Sequence, residues 1–530
     1  MLRNKITGRY LWLLCLISLY TTSCNQPDEK VERPNIIFIM TDDHTTQAMS
    51  AYGSVINQTP NMDRIANSGI RFDNAFVTNS ICAPSRAVIL TGKFSHLNGV
   101  INNAQTFDGS QQTFPKLLQA SGYQTAMVGK WHLRSDPTGF DYWNILPGQG
   151  HYYNPDFIEM GERSQREGYV TTLTTDYALD WVDKRDKEKP FYLMLHHKAP
   201  HRNWMPDTKH LNMYDDVDIP MPDNFFDSFE NRGTAAETQE MSIVEDMYEI
   251  YDLKLMYKTA EKNVDKAFER IVGRLNPEQR KAFDEAYADE NEAFRKANLT
   301  GEALGKWRYQ RYIKDYLRCV ASVDDNIGRV LDYLEANGLR ENTIIVYTSD
   351  QGFYLGEHGW FDKRFMYEES YRTPFIVSYP KTIDKGTVSE ALTMNIDVAP
   401  TLLEYAGVEV PDDLQGRSLK TVMNNQGKEP ENWREATYYH YYEYPAEHAV
   451  KRHYGVRTKD FKLMHFYHDV NEWELYDLRN DPKEMKNVFD DAAYQDVKTE
   501  LLEELREQQK LYGDSIQSQN PVEMLREVSK

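Results

Sequence analysis

Four short apolar runs constrain this chain more than any other feature, because each breaks off into a cluster of chemically active residues. Residues 35–40 (NIIFIM) lead into Thr41, Asp42, Asp43 and His44, and residues 123–128 lead into Gly129, Lys130, Trp131 and His132. Residues 191–195 lead into the segment His196-His197-Lys198-Ala199-Pro200-His201, and residues 343–347 into Thr348, Ser349, Asp350, Gln351 and Gly352. The runs do not alternate apolar with polar, so they suit strands covered on both faces, as in a parallel sheet with crossover helices. Ile327, Val330, Leu331 and Leu334 repeat with helical spacing, and Asn337-Gly338 supplies a stop just before the fourth run. Open α/β sheets bind ligands beyond the carboxyl ends of their strands. Charged clusters buried elsewhere would be costly, so the four strand ends are expected to converge on one site.

The rest of the chain divides around this pattern. Residues 204–311 are rich in Asp, Glu, Lys, Arg and Tyr and read as a helical insertion, with long helices over 244–274 and 277–296. After about residue 433 short alternating strands follow, at 453–457, 461–465 and 474–478, then a helix over 493–511. The expected organisation is an α/β domain over 33–432 and a small α+β subdomain with an antiparallel sheet over 433–530.

The formal charge of −21 over 530 residues argues against nucleic acid or an anionic membrane surface as a partner. An anionic substrate therefore needs a local cluster of cations. At the N-terminus, Arg3, Lys5 and Arg9 precede an apolar segment of signal-peptide length, residues 11–19. Thr21, Thr22 and Ser23 then stand before Cys24, which resembles a bacterial lipobox. Residues 1–23 are predicted to be a lipoprotein signal peptide, Cys24 the lipid anchor and 24–32 a tether. The protein is then exported, to the periplasm or as an outer-membrane lipoprotein, and meets the membrane only through its lipid. The four cysteines show no disulfide framework: Cys15 lies in the signal, and Cys319 sits in a helical pattern as a small buried apolar residue.

The fourth cysteine carries the most information. In Cys82-Ala-Pro-Ser-Arg-Ala-Val-Ile-Leu-Thr-Gly92, Pro84 suits a first helical turn and Gly92 a helix end. Cys82 then lies at a helix N-terminus, where free N–H groups favour an anion, with Arg86 one turn on along the same face. Cys-x-Pro-Ser-Arg followed by Leu-Thr-Gly resembles the signature of the type I, formylglycine-dependent sulfatases. Asp42-Asp43, Gly129-Lys-Trp-His132, Ala199-Pro-His201 and Ser349-Asp-Gln-Gly352 match further family elements in order.

The resemblance implies an alkaline-phosphatase-like α/β fold and a maturation enzyme that oxidises Cys82 to formylglycine, whose hydrate attacks sulfur. It places Asp42, Asp43, Asp350 and Gln351 around Ca2+. This agrees with the donor set, hard oxygens without Cys/His zinc spacing; many relatives carry Asn in place of Gln351. Arg86, Lys130 and Lys363 become charge clamps on the sulfate. His201 becomes the proton donor to the leaving oxygen, and His132 the base that lets sulfate depart.

Within the family the chain most resembles the N-acetylglucosamine-6-O-sulfatases of Bacteroides-like bacteria, on residues 96–103, 362–368 and 395–403. The expected substrate is thus a sulfated glycan of the glycosaminoglycan or mucin type. Asp362, Arg364 and His453 are the expected sugar contacts; each also suits a structural ion pair or a capped strand end. Two other functions use the same residues: a phosphonate or phosphate monoester hydrolase of the same superfamily, and a lipid-anchored glycan-binding protein without catalysis.

Overall fold

All four apolar runs become strands of one sheet. The computed structural model of the chain describes residues 33–257, 259 and 261–515. The expected signal peptide, the Cys24 anchor, the tether up to residue 32 and residues 516–530 lie outside them. The sheet has ten strands in the order Thr387–Ser389, Ile70–Phe72, Phe375–Ser378, Thr343–Ser349, Asn35–Thr41, Phe191–His196, Gln124–Lys130, Tyr142–Leu146, Asp156–Glu159 and Glu162–Gln165. The central five, from Thr343–Ser349 to Tyr142–Leu146, are mutually parallel, and antiparallel pairings appear outside them.

Both faces of this centre are covered, which is why its strands do not alternate. Ile37, Ile39, Val128, Leu195, Ile345 and Tyr347 enter one core with the helix Gly301–Ala336. Their neighbours Ile36, Phe38, Met40, Met127, Met194, Ile344 and Val346 enter a second core on the other face. The long helix ends at Asn337, with Gly338 at φ +67°, a left-handed conformation that glycine adopts without a Cβ penalty.

A four-stranded antiparallel sheet in sequential order, Ala436–Tyr441, His453–Thr458, Phe461–Phe466 and Glu472–Asp477, forms the C-terminal layer, with the helix Gln495–Tyr512 against it. Among the described residues no helix is long and apolar enough to cross a membrane.

The insertion departs from expectation in two places: the helix Gly301–Ala336 runs through its expected end at residue 311, and one expected helix is shorter. The helix Pro277–Ala297 forms, but the helix expected over 244–274 is confined to Lys262–Val272. Side chains divert the backbone groups that an earlier helix would need. Arg308 Nη1 donates to the Val244 carbonyl at 2.7 Å, and Oδ2 of Asp252 accepts the Tyr248 N–H at 2.9 Å.

Candidate active site

Strand register assembles the acids. Thr41 pairs with Ser349 and Met40 with His196, so the carboxyl ends of three strands lie level. Asp42 and Asp43 leave the first strand beside Asp350 and Gln351, and the Asp43 N–H donates to Asp350 Oδ1 at 3.2 Å. Carboxylate oxygens of Asp42, Asp43 and Asp350, all buried, lie within 4.8 Å of one another. Such close like charges are unfavourable unless cations balance them.

Cys82 opens the helix Cys82–Thr91, which closes at Gly92 in a left-handed conformation (φ +64°). Its Sγ lies 3.4 Å from Asp42 Oδ1 and 3.4 Å from Lys363 Nζ. Burial pushes the thiol up to about 12, the Lys363 charge offsetting only part of this, so an unmodified thiol is protonated at neutral pH. Arg86 forks onto Asp350 Oδ2 at 3.1 and 2.9 Å and donates to the Lys130 carbonyl at 2.7 Å. Lys130 contacts Asp42, and Lys363 contacts Asp43. Burial pulls the Lys363 ammonium down, but Asp43, Cys82, Asp362 and Asp350 outweigh it and hold it above its ordinary value.

The two expected proton carriers are present. His201 Nε2 stands 3.9 Å from Asp43 Oδ2, and Nδ1 contacts the Arg202 carbonyl. His132 lies within the same field of charge. Burial first, then the charges of Lys130 and its neighbours, pushes both imidazoles well below the usual histidine range. His196 packs against Arg86 (3.3 Å), and His44 hydrogen-bonds Tyr347 at 2.5 Å.

A cavity of about 540 Å³ opens over this cluster, lined by Cys82, Lys198, His201, Asp362, Lys363 and Arg364. Tyr248, Tyr251, Val264, Ala267 and Ile271 add an aromatic and apolar wall. Asp362 and Arg364 sit at φ +73° and +93°, a costly backbone for non-glycine residues and one that recurs at binding sites. Arg364 bridges Asp362 (3.2 Å) and Glu443 (3.1 Å).

His453 corrects the expectation. It does not reach the cavity but lies buried in the strand His453–Thr458. Its Nε2 accepts the Met366 N–H at 3.1 Å, and Nδ1 donates to the Lys451 carbonyl at 2.8 Å. Strand alternation turns it into the aromatic packing of Phe365, Tyr439 and Phe466. The residue that does approach Asp362 from the C-terminal layer is His448, with Nε2 3.4 Å from Asp362 Oδ2. It lies in the short 3-10 turn Glu447–Ala449, with no motif of its own, so nothing in the sequence marked it. Lys198 and Arg202 also line the cavity, and their place within three residues of His201 was the available signal.

Residues 34–408 match the family model described as Sulfatase. The chain belongs to the sulfatase family. Residues 356–511 of this sulfatase also match the model for the C-terminal region of N-sulphoglucosamine sulphohydrolase. The sulfatase is 57% identical over 508 residues to N-acetylglucosamine-6-O-sulfatase of Bacteroides thetaiotaomicron, covering 95% of the chain and 91% of the relative. It matches the solved structure of BT4656 in complex with its substrate D-glucosamine-2-N,6-O-disulfate, with a TM-score of 0.89 and 57% identity, over 92% of this chain and 99% of that one. A phosphonate monoester hydrolase of Agrobacterium radiobacter shares the fold, at a TM-score of 0.63 and 20% identity over 91% and 96% of the two chains. The sulfatase is accordingly a sulfuric ester hydrolase.

Proposed function

We propose that this sulfatase removes the 6-O-sulfate of N-acetylglucosamine, or of its N-sulfated counterpart, in glycosaminoglycan or mucin glycans. The observation that carries this reading is the 57% identity, over 95% of the chain, with an N-acetylglucosamine-6-O-sulfatase. Asp362 and Arg364 support it: they flank Lys363 at the cavity and present a carboxylate and a guanidinium to sugar hydroxyls.

The strand-end acids suit a calcium ion. Asp43 Oδ2 and Gln351 Oε1 are buried and accept no hydrogen bond from the described residues, and Asp42, Asp43, Asp350 and Gln351 all offer hard oxygens. Asp42, Asp43, Asp350 and Gln351 would hold the ion, which when bound supplies fixed positive charge for sulfate oxygens. Position 82 carries the nucleophile; its Sγ here stands where the oxygen of the formylglycine would be. The formylglycine made by a maturation enzyme supplies a hydrated aldehyde as an oxygen nucleophile. Arg86, Lys130 and Lys363 hold sulfate charge around that atom. His201, at the cavity side, donates a proton to the departing sugar oxygen, and His132 is the base for the proton released at position 82.

Export as a lipoprotein anchored through Cys24 belongs to the same proposal and rests on residues 1–24. Loss of membrane association in Cys24→Ser, with activity retained, is its test.

The function is tested with matured enzyme on a panel of sulfated monosaccharides and glycosaminoglycan disaccharides, scored for released sulfate. Turnover of 6-O-sulfated glucosamines ahead of 6-O-sulfated galactose is expected. Faster turnover of a phosphonate monoester than of any sugar sulfate would overturn the reading.

A further inference from the structure

Four basic side chains line the cavity: Lys198, Arg202, Lys363 and Arg364. Three are already neutralised. Arg202 pairs with Asp252 at 2.7 Å, Lys363 contacts Asp43, and Arg364 pairs with Asp362 and Glu443. Lys198 is different. Its ammonium has no ion pair or hydrogen bond among the described residues; the contact it makes is with the Tyr152 ring, 4.8 Å from the centroid.

The residue is nevertheless only 4% exposed. An ammonium held mostly out of water without a counter-ion is costly. Burial pulls it down to about 8, with Asp43 offsetting only part of the effect. Its position is also informative. Lys198 stands three residues before His201 on the segment leaving the strand Phe191–His196, and its charge acts on His201, Lys130 and His132. It therefore lies at the nucleophile end of the cavity.

We propose that Lys198 is a further catalytic residue, whose ammonium takes a non-bridging oxygen of the substrate's sulfate group as its missing counter-ion. The inference rests on the proposed sulfate-ester chemistry but not on which sugar carries the ester. In a chain of net charge −21, an unneutralised cation lining the same cavity as Cys82 gives that cavity local attraction for a sulfate. Sulfate binding satisfies both buried charges at once.

The test uses matured, calcium-loaded enzyme with Lys198→Met and Lys198→Arg. Inorganic sulfate, the product, is the probe, and its inhibition constant is measured beside kcat and KM. For Lys198→Met that constant should rise about 10-fold or more and kcat/KM should fall by about 10- to 100-fold, the range of one charge-assisted hydrogen bond. Lys198→Arg should recover part of both. Inhibition by desulfated N-acetylglucosamine should stay unchanged in Lys198→Met. Unchanged inhibition by inorganic sulfate overturns the proposal. Equal weakening toward the desulfated sugar also overturns it, because that marks collapse of the cavity. Should another sulfated sugar prove to be the substrate, the sugar assignment fails alone and the same constants on that sugar judge Lys198.

Discussion

The backbone N–H of Asp43 donates to Oδ1 of Asp350 at 3.2 Å, although 307 residues separate them in the chain. The bond exists because Thr41 and Ser349 are register partners in neighbouring parallel strands. It ties the Asp350 carboxylate to the backbone of Asp43 at the carboxyl end of the central strands. The proposed metal site is therefore built into the centre of the sheet, and single substitutions of its proposed ligands are expected to disturb it.

Removing one of these acids should remove the response to metal. The wild-type Tm is expected to rise with calcium and fall with chelator, since a ligand at about 100 times its Kd stabilises by about 2.7 kcal/mol. Asp350→Ala should show no calcium-dependent shift and no turnover. A calcium shift retained in full would refute the ligand assignment.

Maturation is read directly by mass. In the tryptic peptide ending at Arg86, Cys82 should lose sulfur and two hydrogens and gain one oxygen when the maturation enzyme is co-expressed. Cys82→Ala should leave the fold intact and activity absent. An active enzyme whose peptide retains an intact cysteine would remove the formylglycine from the mechanism.

His201 should matter in proportion to how poor the leaving group is. His201→Ala is expected to lose about 10²- to 10⁴-fold in kcat on a sugar sulfate. The loss on an aryl sulfate should be clearly smaller, because a phenolate departs without a proton. Equal losses would assign His201 to binding instead.

Arg364→Ala should lower kcat/KM on sugar sulfates by about 10- to 100-fold, the range of a charge-assisted hydrogen bond. Inhibition by inorganic sulfate should be spared, in contrast to Lys198→Met. A matching loss of sulfate affinity would place Arg364 at the sulfate rather than at the sugar.

His453 should affect stability and not catalysis. Burial holds its imidazole down at about 3, against about 6.5 unfolded. Below pH 6.5 the unfolded chain binds a proton that the folded one refuses, so stability falls as pH drops from about 6.5 toward 3. His453→Phe should make this fall in Tm shallower. It should also cost about 1–3 kcal/mol near neutrality, because the Met366 N–H loses its acceptor. An altered KM would contradict the structural role.

Some of this could be read before any coordinates. Apolar strands covered on both faces, the helix opened by Cys82 and closed at Gly92, and the stop at Asn337-Gly338 are local patterns, and a local pattern depends on neighbours in the chain. The same holds for the residue types at the strand ends. Their convergence followed from the general rule that parallel sheets bind at carboxyl ends. Where side chains from distant segments compete for the backbone, the pattern misled: the 244–274 helix yields to Arg308 and Asp252. His453 shows the same limit, since a strand residue's face is settled by which sheet it joins and what that sheet packs against. The presence of His448 near Asp362, and the lack of a carboxylate for Lys198 among the described residues, are likewise relations across the fold. A sequence shows which charges exist. Only the tertiary structure shows which of them are already paired, because pairing is a matter of distance in space and not of spacing along the chain.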